Sequence, residues 1–483
     1  MMKRIFSAIL VCTMLLPAAA CSQDPAEKAD TPDTTASVNA EPETTAAPET
    51  EPPIISAALP TDKTFGGHTF TIASDGDTVL ATIYAEEENG ETINDAVIER
   101  NRLVEEQFDV IVLGTRLPGD LTASINQAVA AGDTAWDIVT GHDCTMWSLT
   151  MTGNFLNVRE TPYMDFAQPW YPAFANDTYC IGGKQYMFTS YLSCLSLAWA
   201  QCFLIDKGIA ADNGITVPYE EVLNGTWTLD RLLELATGVA KDLNGDGVMN
   251  KSDLYGFATA SAMWSFQGSY LDCYSRDSDG RITVDFDQAK LINLSEKMLA
   301  FLTGPDGFII DASPNPDMFV AGQTLFHYDK LEIMTSGILR ESAIEYGVLP
   351  LPKWSEEQKD YVSGSSDRQF AFLVHTPDPV RSGILTEALS SAGYHIIREA
   401  YFDMALSTKF APDHESIEML NIISNTLAAD LSFLNVPAGG NGFGRTFMYA
   451  LKNKNSALAS YLAKLHPAEQ KKVNKINEFY FGQ

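Results

Sequence analysis

From about residue 64 onward, short apolar runs alternate with longer stretches whose apolar residues recur at helical spacing. Thr69, Phe70, Thr71, Ile72 and Ala73 alternate as a strand does, and the run ends in the polar turn Ser74-Asp75-Gly76-Asp77. An amphipathic helix is expected over residues 93–108. There Ile93, Ala96, Val97 and Val104 fall near one face, among Glu99, Arg100, Arg102, Glu105 and Glu106. Residues 109–113 read as the next strand, 121–131 as the next helix, and 137–141 as a third strand ending at His142 and Asp143. This rhythm predicts an α/β fold with a mostly parallel sheet. Ligands of such sheets lie beyond the carboxyl ends of the strands. Asp75 and the His142-Asp143 pair both stand there.

Further along, residues 183–188 look like a short strand after a Gly-Gly turn, and Thr228 is placed to cap a helix carrying Leu229, Leu232, Leu233, Ala236 and Val239. Asp277-Ser278-Asp279-Gly280 before an alternating run to Phe286 is a hairpin signal. Residues 347–352 are strand-like and 381–406 helical, and no fixed-period repeat is visible.

The N-terminus is patterned differently. Lys3 and Arg4 precede an apolar stretch over residues 5–16, then Pro17-Ala18-Ala19-Ala20-Cys21. The stretch is too short to span a bilayer of about 30 Å and reads as a cleaved signal, residues 1–20. Small residues before Cys21 resemble a bacterial lipobox, with Ala18 where Leu is usual, so Cys21 is the expected diacylated (palmitate-bearing) N-terminus. Residues 21–60 are mostly Thr, Ala, Pro, Glu and Asp and are expected to be a disordered, extended linker. The expected location is the cell membrane, lipid-anchored and facing outward.

Some 420 residues of ordinary globular composition follow, enough for two lobes. A net charge of −31 makes nucleic acid and anionic lipid poor partners. Cys144, Cys180, Cys194, Cys202 and Cys273 lack metal-ligand spacing; buried thiols are the simpler reading, and one disulfide among Cys180, Cys194 and Cys202 stays open.

One motif carries specific chemistry. Asp242, Asn244, Asp246, Val248, Asn250 and Asp253 occupy the ligand positions of a calcium loop, with Gly247 at the sharp turn. The closing acid is Asp rather than the longer Glu. A structural Ca2+ is expected there and no organic cofactor. Signatures of a serine-hydrolase elbow or a zinc-protease helix are absent. The Gly-rich stretch at 439–446 has Arg445 where a phosphate loop needs Lys, and reads as a turn. Aromatic residues sit near polar turns: Trp136, Trp147, Trp170, Tyr171, Tyr191, Trp199, Trp264, Tyr270 and Tyr328. Sugars bind where such platforms meet polar side chains, although most single aromatics are core.

Taken in order, several weak motifs resemble extracellular solute-binding lipoproteins of bacterial ABC importers (family 1, related to maltose-binding protein). They are Asp75 after the opening strand, Gly90-Glu91-Thr92 leading into Glu99-Arg100-Asn101, Trp136-Asp137, Gly153-Asn154-Phe155, and Gly183-Lys184-Gln185-Tyr186. Gly225-Thr226-Trp227-Thr228, Asp253-Leu254-Tyr255-Gly256, Phe319-Val320-Ala321-Gly322 and Tyr346-Gly347-Val348 complete the series. The resemblance implies a two-lobed periplasmic-binding-protein type II fold with hinge crossovers. Lobe 1 would comprise residues 61–177 plus 335–408, and lobe 2 residues 178–334 plus 409–483. It implies a monomer that captures a small solute, most naturally a sugar or oligosaccharide, and delivers it to ABC permease subunits without enzymatic turnover. Asp75, His142, Asp143, Tyr191, Trp264, Tyr328 and Arg368 are the expected ligand-binding residues. A secreted hydrolase and a non-transport surface lipoprotein are the alternatives.

Overall fold

The computed structural model describes residues 53–310, 316–365, 368–406, 414–436, 440–455 and 457–482. The signal segment, Cys21, most of the linker, the expected lobe passage near 408 and Gly439 lie outside the described residues. The linker was expected to run to residue 60, but the chain is packed before that. Leu59 is buried in the main core with Ile55 against it, and the Ser56 amide donates to Ser391 Oγ at 3.0 Å. Two aliphatic side chains suffice to anchor a segment whose composition is otherwise that of a spacer.

The expected opening is present. Strands β1 (His68–Ser74), β2 (Val110–Arg116) and β3 (Ile138–His142) alternate with helices α1 (Thr92–Phe108) and α2 (Leu121–Ala131). β1 is parallel to both neighbours, with Ser74 level with Arg116 and with Thr140, so β1 and β2 end together and β3 runs two residues further, to His142. Helix α3 (Asp143–Thr150) starts directly from β3.

A second sheet is built from β4 (Gln201–Asp206), β5 (Tyr255–Ala260), β6 (Gly307–Ile310), β7 (Thr324–Lys330) and β8 (Tyr346–Leu349), in the order β8-β4-β7-β5-β6. It is mixed: β8, β4 and β7 are antiparallel, while β7, β5 and β6 are parallel. β4 and β5 are buried at every residue, so no alternation betrays them in the sequence. Strand β9 (Arg368–Ala371) then returns to the first sheet, antiparallel to β3, giving the order β9-β3-β1-β2.

These pairings shift the expected passages between lobes. Phe188 still bridges to Phe370 of β9, so the chain leaves the first sheet after residue 188 and reaches the second at Gln201. The return was expected near 335. Yet Tyr346–Leu349 pairs with β4, buried throughout, and the first sheet is rejoined only at Arg368. Residues 183–188 form isolated bridges rather than a strand. Helix α4 (Leu229–Ala236) starts as expected, with Thr228 Oγ1 accepting from the Arg231 amide at 3.3 Å, but ends before Val239. The 381–406 region is two helices, α5 (Pro379–His395) and α6 (Ile397–Leu406). Cys144, Cys180, Cys194, Cys202 and Cys273 are free thiols, all buried except the half-buried Cys180, so no disulfide forms among them.

Two buried charges knit the first lobe. The Arg100 guanidinium, fully enclosed, donates to Leu192 O at 2.9 Å, Ile83 O at 2.7 Å and Asn101 Oδ1 at 2.6 Å. With carbonyls rather than a carboxylate around it, burial draws its pKa down to about 9. Glu387 on α5 accepts from Trp170 Nε1 at 3.1 Å, Tyr171 Oη at 2.8 Å and the Asp165 amide at 3.3 Å. Burial outweighs these donors and pushes its carboxyl up to about 7.

An acid whose folded pKa is raised contributes stability below its unfolded value, near 4.5, and loses it as pH rises toward 7. A shift of that size corresponds to roughly 3 kcal/mol. Melting temperature should therefore fall between pH 4.5 and 7.5, and Glu387→Gln should flatten this slope. An unchanged slope in the variant would remove Glu387 as its cause.

Candidate functional site

Polar chemistry gathers where the ends of both sheets converge. Asp75 stands one residue beyond β1, and both its carboxylate oxygens accept from Arg368 Nη1, at 2.7 and 2.9 Å. Arg368 opens β9 and is paired with His142. The two side chains are only 18% and 22% exposed, so the pair is partly shielded from solvent. The Arg368 guanidinium also lies 5.5 Å from the Trp199 ring, and Lys330 Nζ lies 4.3 Å from the same ring. Lys330 ends β7 and is paired with Gln201. Arg116 ends β2, its Nε 3.5 Å from the exposed Asp77. A Cβ on Gly76 would meet Arg116 Nη1 at 3.9 Å and Arg368 Nη2 at 4.0 Å, so the two guanidiniums flank that glycine.

The other half begins at β3. His142 Nδ1 is 2.8 Å from Asp143 Oδ1, which also accepts from the Cys144 amide at 2.6 Å. Asp143 and Cys144 are buried, whereas His142 is half exposed. Burial first, then the Asp143 charge, pushes the Cys144 thiol well above its ordinary range. Donor atoms of these three residues lie within 4.8 Å of one another. A soft metal would need the thiolate. Arg445 Nη2 lies 3.5 Å from the Cys144 sulfur, which places a fixed positive charge against this cluster.

Arg445 links the lobes. It donates to Val436 O at 3.1 Å, and its guanidinium lies 4.8 Å from the Phe433 ring, which meets Trp264 edge-on at 6.0 Å. The turn bearing Phe433 is fixed by the buried Asp430 and the half-buried Asp272. Asp430 Oδ1 accepts from the Phe433 amide at 3.0 Å, and Asp272 Oδ2 from the Leu431 amide at 3.1 Å. Burial raises both carboxyls. Trp264, 36% exposed, lines a cavity of about 560 Å3 beyond β5, with Ser261, Asn441, Arg445, Tyr449 and Lys452. That volume suits a small organic solute.

The structure thus brings Asp75, Arg368 and His142 to one strand-end face, with Asp143 beneath it, and joins them through Arg445 to Trp264. Tyr328 is a core residue whose hydroxyl donates to the Trp264 backbone carbonyl and so ties the segment bearing Trp264 to β7. Tyr191 lies elsewhere, buried against Tyr394 at 5.3 Å beside a separate cavity that includes Phe166 and Arg398. Sequence reasoning missed Arg116 and Lys330, although the strand-end rule that found Asp75 applies to both. It dismissed Arg445 with its glycine-rich turn.

Residues 242–253 form a loop apart from this site. An antiparallel bridge between Lys241 and Leu254 closes its base. Asp242 accepts from the Gly245 and Gly247 amides at 2.7 and 2.8 Å, the Gly247 bond chiefly holding its carboxyl below the usual range. Asn244 accepts from the Asp246 amide and Asp246 from the Val248 amide. The buried Asp253 accepts from Leu243 at 3.0 Å and Asn250 at 2.8 Å. The donor set is all oxygen, and each carboxylate oxygen retains further acceptor capacity, which fits calcium.

Neutralising one partner of the Asp75–Arg368 pair should leave the other partly buried and uncompensated. Asp75→Asn and Arg368→Met should each lower stability by about 1 kcal/mol, and the double variant by less than the sum. Additive losses in chemical denaturation would show that the pair is not coupled.

No protein-family model and no curated protein matches the sequence. Solved structures do match. A cyclic α-maltosyl-1,6-maltose-binding protein from Arthrobacter globiformis aligns with a TM-score of 0.58 and 13% identity, over 86% of this chain and 100% of its own. A sugar transporter from Rhizobium etli, in an open conformation, gives 0.54 and 14% over 86% and 99%. The galacto-N-biose/lacto-N-biose I-binding protein of an ABC transporter from Bifidobacterium longum gives 0.53 and 14% over 83% and 98%. At this identity the likeness is one of fold, and the fold of this chain is that of the maltose-binding-like solute-binding proteins of ABC importers.

Proposed function

We propose that the protein captures a saccharide between its two lobes outside the cell and delivers it to an ABC permease. The observation that carries this reading is the gathering of charged side chains on one indole at the strand ends of both sheets, where Arg368, paired with Asp75 of the first sheet, and Lys330 of the second meet Trp199. Asp75, Arg368 and His142 from one side and Trp264 with Arg445 from the other offer hydrogen-bonding groups and an exposed ring to a polyhydroxylated solute. The neighbours in fold are sugar-binding proteins, which supports the solute class and a binding role rather than turnover. Cys21, acylated, would hold the chain at the outer face of the membrane; the lipobox-like sequence supports this. A Cys21→Ser variant that still sedimented with membranes would contradict it.

Calcium in the 242–253 loop would be structural. Asp242, Asn244, Asp246, Asn250 and Asp253, with the Val248 carbonyl, would hold it. The ion would fix a surface loop whose backbone amides are already gathered around the acids.

A ligand that binds only the folded state raises stability by about 2.7 kcal/mol at a hundredfold excess over Kd. A thermal-shift screen of mono- and oligosaccharides should find members that raise the melting temperature, with the gain reduced in Trp264→Ala. If no saccharide shifts it, the capture reading fails. In the same assay calcium should stabilise the wild type and not Asp246→Ala; equal response of both would exclude the loop.

A further inference from the structure

The strand-end face described above is cationic in a chain that is otherwise strongly acidic, with 63 acidic against 32 basic residues. Three of its side chains are Arg116, Lys330 and Arg368, each at the end of a different strand. The acids facing them are Asp75, held by Arg368, and Asp77, which is largely exposed beside Arg116. Asp329 Oδ1 accepts from the Lys330 backbone amide at 2.8 Å, and its Oδ2 lies 3.1 Å from His327 Nε2, so this carboxylate is taken up away from the Lys330 ammonium. Asp143 is engaged beneath His142.

Lys330 has no carboxylate within 4.0 Å among the described residues, and its ammonium rests 4.3 Å from the Trp199 ring, with the Arg368 guanidinium 5.5 Å from that ring. Two cations on one indole repel each other, and the ring quadrupole offsets only about 1 kcal/mol of this at a semi-exposed position. Random placement in so acidic a chain would supply carboxylates to neutralise them. The arrangement instead leaves a positive charge at the mouth of the site, backed by a flat aromatic and by Arg116 across Gly76.

We infer that the solute is an acidic saccharide, its anionic substituent (carboxylate, sulfate or phosphate) received by Lys330 with Arg368 and Arg116 alongside. This rests on the saccharide-capture reading and narrows its ligand class. Trp264 would then contact the sugar ring while the cationic face takes the charge. The net acidic charge of the chain repels such a solute at long range, and the cations at this face offset that repulsion locally.

Calorimetric titration of the full folded chain tests this. The probes are di- and trisaccharides of galacturonic acid, the matching galactose oligomers, and sulfated and phosphorylated galactose, at low and high salt. At least one anionic series should bind about tenfold or more tightly than its neutral counterpart, and weaken with salt. Lys330→Met, which keeps the apolar stem over Trp199, should erase most of that preference while leaving the melting temperature close to wild type. Which anionic series prevails identifies the substituent. Neutral oligomers bound as tightly as the acidic ones, with Lys330→Met unchanged, would overturn the charge inference and leave saccharide capture standing. Absence of binding to every saccharide, charged or neutral, would remove both.

Discussion

Asp75 and Arg368 are separated by 293 positions in sequence and joined by one ion pair of 2.7 Å. Between them the chain leaves the first sheet, builds the whole second sheet and returns. The pair can form only if β9 comes back antiparallel to β3 with Arg368 opposite His142, which aims the guanidinium at the end of β1. That one register fixes where the chain re-enters the first lobe, and it sets Arg368 beside Trp199 and Lys330. The interaction contributes little net energy at its partial exposure. Its role is geometric, because a slip of one residue would turn Arg368 to the opposite face of the sheet.

Around this register, several polar groups in the interior are held by unusual partners. Arg100 is surrounded by carbonyls, Glu387 by an indole, a phenol and an amide, and the Asp272–Asp430 pair by the amides of the Phe433 turn. Each ties segments distant in sequence, so the lobes are positioned by directional bonds as well as by apolar packing. The network around Trp147 does the same at the C-terminus. Trp147 Nε1 donates to Asn435 Oδ1 at 2.9 Å, and the ring stacks at 6.3 Å on Tyr480 of the final helix.

Much of the first lobe was legible in the sequence, because β1 and its neighbours alternate with amphipathic helices and end in conspicuous polar turns. The second sheet was not. β4 and β5 are buried on both faces and read as featureless apolar runs, and β8 was recognised as a strand without any sign of its partner. The strand-end rule placed Asp75 and His142 at the carboxyl ends of β1 and β3, where the structure has them, and would have pointed to Arg116 and Lys330 had it been applied to β2 and β7. Tyr191 and Tyr328 show the limit of composition: an aromatic near a polar turn is indistinguishable, by sequence, from one that packs in the core. Arg445 was hidden by its glycine-rich surroundings, whose looseness suggested a turn while the fold used it to bring a guanidinium against Cys144 and Phe433.

Among the described residues two covalent passages lie between the sheets, residues 189–200 and 350–365. Ala200 bridges to Ser365 where they meet. Capture by such a frame requires the sheets to rotate about those passages when solute bridges Asp75 and Arg368 to Trp264. Energy transfer between dyes at Asp133, after α2, and Asn453, at the end of the helix Thr446–Asn453, reads that motion directly. The separation should change on saturation with a saccharide that raises the melting temperature, and recover when the sugar is removed. Binding with no change in separation from dyes at these or other sites on the two lobes would contradict capture by lobe closure.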